Sequence, residues 1–302
     1  MTSLGLVAIG RNEGARLETC LRAALASGFP VVYVDSGSTD GSVQLARGLG
    51  VDVVALDASA TFTAARGRNA GVARLRESSP ALEFVQFVDG DCELDPSWLG
   101  KATAALRANA RVAAVCGRVR ERYPDKSIYN RLCDLEWDTP IGEALSCGGN
   151  SMMRLSAFQE VGGFNPTLIA GEEPDLCFRL RERGWKILRV DAEMVLHDAA
   201  IERFSQWWTR SVRGGHATAE TLERRGLKKA PEAARKVASN LLWSMPAAWP
   251  LWPMLWWRVY SGRRDPALAT FTVLGKLPHC QGQLTFWARH VSRRASRLIE
   301  YK

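Results

Sequence analysis

Four short segments and one histidine carry side chains able to do chemistry together. Asp89-Gly90-Asp91 places two carboxylates on a tight turn. Neighbouring carboxylates repel, and a divalent cation between them relieves that repulsion. Oxygen donors suit Mg2+ or Mn2+ better than zinc. Such a cation could hold a diphosphate and neutralise the charge that develops as it leaves. The same triplet is also an ordinary strand-to-loop turn, where Asp and Gly are common, and alone that reading comes first. Asp35 opens a second segment, Asp35-Ser36-Gly37-Ser38-Thr39-Asp40. A strand-end carboxylate can accept hydrogen bonds from a base or ribose, and small residues let backbone approach a ligand closely. Ser38 also suits a helix cap, and the two roles are compatible. In Arg68-Asn69 the guanidinium matches a phosphate or diphosphate, although a solvated helix arginine is the commoner case.

Glu172-Glu173-Pro174-Asp175 concentrates three acids at a helix start. Complementing the helix dipole is worth only about 0.3–1 kcal/mol, and three acids exceed that need. Transfer to a hydroxyl requires a general base, and a carboxylate serves. His197 follows the apolar run Met194–Leu196 and is one of four histidines. An imidazole at a strand end can complete a metal site, or act as a structural hydrogen-bonding group.

These residues need a scaffold that gathers them. Apolar runs predict strands over 5–10, 31–35, 51–56, 84–89 and 112–117. Helical spacing predicts helices over 15–27, 38–50, 63–76 and 95–109 between them. Such alternation makes an α/β fold with a doubly wound, mostly parallel sheet flanked by helices. Ligands of such sheets bind at the carboxyl ends of the strands, where Arg11-Asn12-Glu13, Asp35-Ser36 and Asp89-Gly90-Asp91 fall. Further on, helices are expected over 128–137, 173–183 and 202–225, and strands over 150–154 and 186–190.

Charge divides the chain. Residues 1–198 carry 22 Lys+Arg against 26 Asp+Glu, whereas residues 199–302 carry 18 against 6. Eight of the 11 tryptophans lie from Trp207 onward. Basic charge mixed with Trp points to a membrane surface or an anionic partner, with Trp207, Trp208 and Arg210 as candidate contacts on an amphipathic helix. No nucleic-acid-binding motif is present, so nucleic acid is not an expected partner. Residues 237–257 hold no charge over 21 positions, enough in length to span a bilayer, yet Pro246, Pro250 and Pro253 interrupt them. A broken helical pair is expected there instead of a span. The expected division is an α/β domain carrying the candidate site over 1–200 and a helical, Trp-rich, basic region over 201–302. Seven scattered cysteines without a CxxC pair, and no signal-peptide pattern ahead of Leu4, are expectations of a reduced, cytoplasmic chain, peripheral on the inner face of the cytoplasmic membrane.

The motifs also stand in a recognisable order. Ile9-Gly10-Arg11-Asn12-Glu13, Val34–Asp40, Gly67–Gly71, Val88–Asp91, Gly148-Gly149-Asn150, Gly162-Gly163-Phe164, Gly171–Leu176 and Leu196-His197 follow one another over two thirds of the chain. In this the sequence resembles family 2 inverting glycosyltransferases of the GT-A fold. The resemblance implies a UDP-, GDP- or dTDP-sugar donor, a saccharide or lipid-linked acceptor, and a Mn2+ or Mg2+ cofactor. It implies nucleotide contacts from Arg11, Glu13, Asp35, Ser36, Arg68 and Asp89. It implies metal ligation by Asp91, with Asp89 and His197. Glu173 falls where the family usually carries a catalytic Asp, with Asp175 and Glu172 as rivals for the base. Processive members carry Gln-x-x-Arg-Trp, whereas here Gln206-Trp207-Trp208-Thr209-Arg210 places Arg one position late with no Trp after it, so a single-addition enzyme is expected. The setting that the resemblance implies is envelope or exopolysaccharide and glycolipid assembly. A polyprenyl-phosphate glycosyltransferase, a nucleotidyltransferase and a catalytically silent membrane-associated subunit remain as other readings of the same residues.

Overall fold

The computed structural model describes residues 3–292. Its chain divides into two compact units, residues 1–123, 133–168 and 172–199 in the first and 124–132, 169–171 and 200–302 in the second.

The first unit is built on nine strands. They are β1 (Leu4–Gly10), β2 (Val31–Asp35), β3 (Asp52–Ala55), β4 (Phe84–Asp89), β5 (Cys92–Leu94), β6 (Val112–Glu121), β7 (Gly142–Ala144), β8 (Ser151–Arg154) and β9 (Lys186–His197). The sheet runs β3-β2-β1-β4-β8-β6-β9-β5, with β7 also on β9. β8, β5 and β7 run antiparallel to their neighbours and the other six share one direction, so the sheet is mixed α/β and mostly parallel. Helices flank it: α1 (Ala15–Leu25), α2 (Ser42–Gly48), α3 (Ala64–Ser78), α4 (Trp98–Ala108), α5 (Ile128–Trp137), α6 (Leu155–Glu160) and α7 (Glu172–Glu182). α5 runs across the boundary between the two units. Leu6, Val7, Tyr33, Phe84, Phe87 and Met152 are fully buried along the central strands, which is why these strands read as continuous apolar runs.

Three local expectations change. Ser38 does not cap α2; its hydroxyl accepts from Asn12 N (2.9 Å), while Asp40 accepts from Ser42 N (3.1 Å) at the helix start. The helix expected from Asp95 begins at Trp98, because Asp95 closes a turn on Ser97 N (2.8 Å) and Ser97 Oγ (2.6 Å). Finally, β9 is one 12-residue strand running to His197, since Asp191 and Glu193 occupy outward positions of its alternation.

The second unit is helical: α8 (Phe204–Lys229), α9 (Pro231–Ser244), a 3-10 turn (Pro246–Leu251), α10 (Trp252–Arg263), α11 (Pro266–Leu274) and α12 (Lys276–Val291). α8 and α12 meet backbone to backbone, because any Cβ at Gly215 or Gly282 would strike the carbonyl of His279 or Val212. The uncharged stretch 237–257 divides among α9, the 3-10 turn and α10. Among the described residues no helix is long and apolar enough to cross a membrane.

Candidate active site

Strand register brings the first acids together. Gly10 pairs with Asp35 on one side of β1, and Ile9 pairs with Asp89 on the other. Both acids therefore end parallel strands at one edge of the sheet, where loops leave the core.

The loops after β1 and β2 are stitched to each other. Asn12, with a left-handed backbone (φ 55°), accepts from Thr39 N (2.8 Å), and Gly14 N donates to Asp40 Oδ2 (3.0 Å). Asp35 is buried. Its Oδ2 accepts from Gly37 N (2.9 Å) and Ser38 N (2.8 Å), and its Oδ1 accepts from Tyr33 Oη (2.9 Å). Burial and the adjacent Asp35 push the Tyr33 phenol far above its ordinary range, so it stays a donor. Asp35 thus shapes the loop first. Ser36 continues the ladder through its N–H to Gly10 O (3.1 Å), Arg11 is exposed over the Phe62 ring (5.8 Å), and Glu13 pairs with Arg16 (2.9 Å).

Arg68 lies between two acids. Its side chain is 3% exposed, with Nη2 on Asp89 Oδ1 (2.7 Å) and Nη1 on Glu172 Oε1 (2.8 Å). Burial works against its charge, but Asp89 and Glu172 outweigh it and the pKa is raised. With its fork on two carboxylates, Arg68 positions both acids. Gly149 leaves room for this pair, as a Cβ there would lie 2.6 Å from Arg68 Nη2 and 2.8 Å from Asp89 Oδ2. Asn150 Oδ1 accepts from Asp89 N (2.9 Å) and fixes the strand end. Asn69 brackets Phe164, donating to its O (2.8 Å) and accepting from its N (3.0 Å), and Arg68 lies 5.5 Å from that ring.

Asp91 is buried and lies beside His197, with Oδ2 3.1 Å from Nε2. The pairing of Cys92 in β5 with His197 in β9 creates this contact. Trp137 stacks on the imidazole at 4.5 Å and holds its plane. Cys92 Sγ donates weakly to Asp91 Oδ1 (3.5 Å), and burial pushes its thiol well above the ordinary value. A carboxylate oxygen and an imidazole nitrogen this close could both serve as ligands to a divalent cation.

The three acids of α7 have separate surroundings. Glu172 holds Arg68, and Asp175 accepts from Arg179 Nε (2.8 Å). Glu173 is buried, and its Oε1 accepts from Cys147 N (2.7 Å), Cys147 Sγ (3.2 Å) and Cys177 Sγ (2.8 Å). All three bonds fall on Oε1; Oε2 is the oxygen outside them. Sequence reasoning assigned no role to Cys147, Cys177, Gly149, Asn150 or Trp137. A usable signal existed for Cys177, four residues after Glu173 on a helix and therefore on the same face, and for Gly149 and Asn150, which stand in one of the ordered motifs.

Residues 7–162 match the model of glycosyl transferase family 2. This chain belongs to that family. Among its relatives, a glycosyltransferase of Haloferax volcanii, AglE, is 26% identical over 58% of this chain and 60% of its own length. The pre-mycofactocin glycosyltransferase of Mycobacterium tuberculosis is 29% identical over 72% of this chain and 46% of its own length. The chain thus spans less than two thirds of these relatives. The fold is similar to that of the mannosyltransferase PcManGT from Pyrobaculum calidifontis, solved with GDP-Man and Mn2+, at a TM-score of 0.61 and 18% identity over 93% of this chain and 87% of that one. As a family 2 member, the chain carries its matched segment through the Asp35 and Asp89–Asp91 strand ends and the Gly149-Asn150 turn.

The aromatic candidates lie in the second unit. Trp207 is 5% exposed and packs against Tyr129 (6.4 Å) and Phe271 (4.9 Å), so its ring fills the core and is not at the surface. Trp208 is half-buried and donates Nε1 to Gln281 Oε1 (2.8 Å), and Arg210 is half-buried on the same helix.

Proposed function

We propose that this chain transfers a sugar from a nucleoside diphosphate sugar to an acceptor hydroxyl, with inversion and with a divalent cation, Mn2+ or Mg2+. The carrying observation is the Asp91–His197 pair at 3.1 Å, at the same sheet edge as Asp89, in a chain of this family. The GDP-Man and Mn2+ held by the similar mannosyltransferase support it. When bound, the cation would neutralise charge on the departing diphosphate. Asp91 and His197 would hold it, with Asp89 beside them. Arg11, Glu13, Asp35 and Ser36 would border the base and ribose. Arg68 keeps Asp89 and Glu172 in register. Glu173 would receive the acceptor's proton at Oε2, its other oxygen being held by Cys147 and Cys177. The attacking oxygen would approach from the face opposite the leaving diphosphate, so one displacement inverts the anomeric carbon.

Residues 1–200 would be the catalytic part, and 201–302 would meet the acceptor or a membrane. The proposed setting is envelope, exopolysaccharide or glycolipid assembly on a saccharide or lipid-linked acceptor, at the inner face of the cytoplasmic membrane. A thermal-shift panel of UDP, GDP, dTDP and CMP, with and without Mn2+ or Mg2+, tests the donor. Stabilisation by one diphosphate only with metal is expected; stabilisation by none in folded protein overturns the reading. The product's anomeric configuration, read by proton NMR, tests inversion.

A further inference from the structure

The largest apolar exposure in the second unit is concentrated in one stretch. Of fifteen exposed large apolar side chains among the described residues, six fall between 242 and 257: Leu242, Met245, Trp249, Leu251, Met254 and Trp257. α10 has no buried residue, although it opens Trp252-Pro253-Met254-Leu255-Trp256-Trp257. Met254 is 62% and Trp257 64% exposed. Trp252, Leu255, Trp256, Val259 and Tyr260 are half-buried along one side of α10, yet its open side still carries Met254 and Trp257, where a solvent-facing side is normally polar. Its rings pack on one another, Trp256 on Tyr260 at 5.0 Å and Trp249 beside Trp252 at 6.0 Å, and form an aromatic shelf.

Charge indicates what covers it. From Ala233 to Arg264 the chain holds Arg235, Lys236, Arg258, Arg263 and Arg264 and no acid. All five cations are exposed. Trp favours the headgroup level of a bilayer, Leu and Met the acyl boundary below it, and Lys and Arg the anionic lipids above. A crossing helix is absent among the described residues, and three prolines divide the stretch. A second copy of this chain would bring like charges face to face.

We propose that residues 242–264 seat this chain in the interface of an anionic bilayer. Trp249, Leu251, Met254 and Trp257 enter the headgroup–acyl boundary, and Arg258, Arg263 and Arg264 meet lipid phosphates. The inference rests on the membrane-surface setting proposed above, not on the transfer chemistry, and it moves the contact from Trp207 to α10 and the 3-10 turn.

The test is co-sedimentation of the full chain with vesicles of phosphatidylcholine alone or mixed with phosphatidylglycerol. Wild type is expected on the mixed vesicles, less at raised salt, with a blue shift of Trp emission. The W249S/M254S/W257S variant should bind about tenfold less or weaker, with unchanged circular dichroism and unchanged donor turnover on a soluble acceptor. Equal binding by the variant overturns the proposal. So does a vesicle-free dimer of wild type that the variant abolishes, which assigns the surface to a second copy. Vesicle binding that persists in protein without donor turnover refutes the transferase reading alone.

Discussion

Cys177 donates its thiol to Oε1 of Glu173 at 2.8 Å, one turn along α7. Cys147 reaches the same oxygen through N (2.7 Å) and Sγ (3.2 Å), and the two sulfurs lie 3.6 Å apart. Burial, then Cys147 and Glu173, push the Cys177 thiol well above its ordinary value, so at neutral pH it remains a donor. Three donors on one oxygen hold the carboxylate in one orientation.

Removing one of those donors should therefore slow transfer without weakening donor binding. A hydrogen bond to a charged group contributes about 1.5–3 kcal/mol. Cys177→Ala is expected to lower kcat about tenfold or more with KM for the donor little changed, and Cys177→Ser, which keeps a donor, to recover most of it. Steady-state kinetics read both numbers. An alanine variant with wild-type kcat would take the thiols out of the support of Glu173.

Arg68 bridges Asp89, 21 positions on, and Glu172, 104 positions on. Arg68→Ala would leave two half-buried carboxylates without their buried cation, a loss of up to about 3–5 kcal/mol, the value for a fully buried pair. Arg68→Lys keeps the charge but cannot serve both acids with a fork, and should fall between. Gly149→Ala should also destabilise, by crowding the pair without altering charge. Urea unfolding at constant pH ranks the three; a stable Arg68→Ala protein would show that the bridge is not structural.

Asp91→Asn and His197→Ala test the metal reading. Each should remove the Mn2+-dependent part of the thermal shift and lower kcat by roughly a hundredfold or more. The circular dichroism spectrum should stay as in wild type. A full Mn2+ response in both variants would place the cation elsewhere.

The parts of this molecule legible in its sequence are those where local pattern and tertiary role coincide. β1, β2 and β4 are buried on both faces, so each is a nearly continuous apolar run, and the acids that end β2 and β4, Asp35 and Asp89, mark the sheet edge. What stayed hidden depends on partners distant along the chain. β5 is three residues long and is a strand only because β9 pairs with it. The pairing of Arg68 with Asp89 and Glu172 joins residues far apart in sequence and has no local signal. Trp207 has the composition of a membrane contact, yet Tyr129 and Phe271 enclose it, while the open tryptophans, Trp249 and Trp257, belong to the 3-10 turn and α10, the stretch whose prolines pointed to a broken helical pair.

His216 gives the second unit an acid-sensitive point. The ring is buried in α8 against Phe286 of α12 (5.2 Å), with Glu220 Oε2 3.8 Å from Nδ1. Burial first, and Arg289 second, lower its pKa from 6.5 to about 4. The folded state therefore holds the ring neutral where the unfolded chain would protonate it. Its contribution is intact above pH 6.5 and is lost as pH falls toward about 4, because the unfolded state binds the extra proton. The whole shift corresponds to a loss on the order of 3 kcal/mol. Urea unfolding between these limits should show stability falling with pH. His216→Gln should be less stable at neutral pH but should lack that part of the slope, whereas an unchanged slope in the variant would assign the acid sensitivity to other groups.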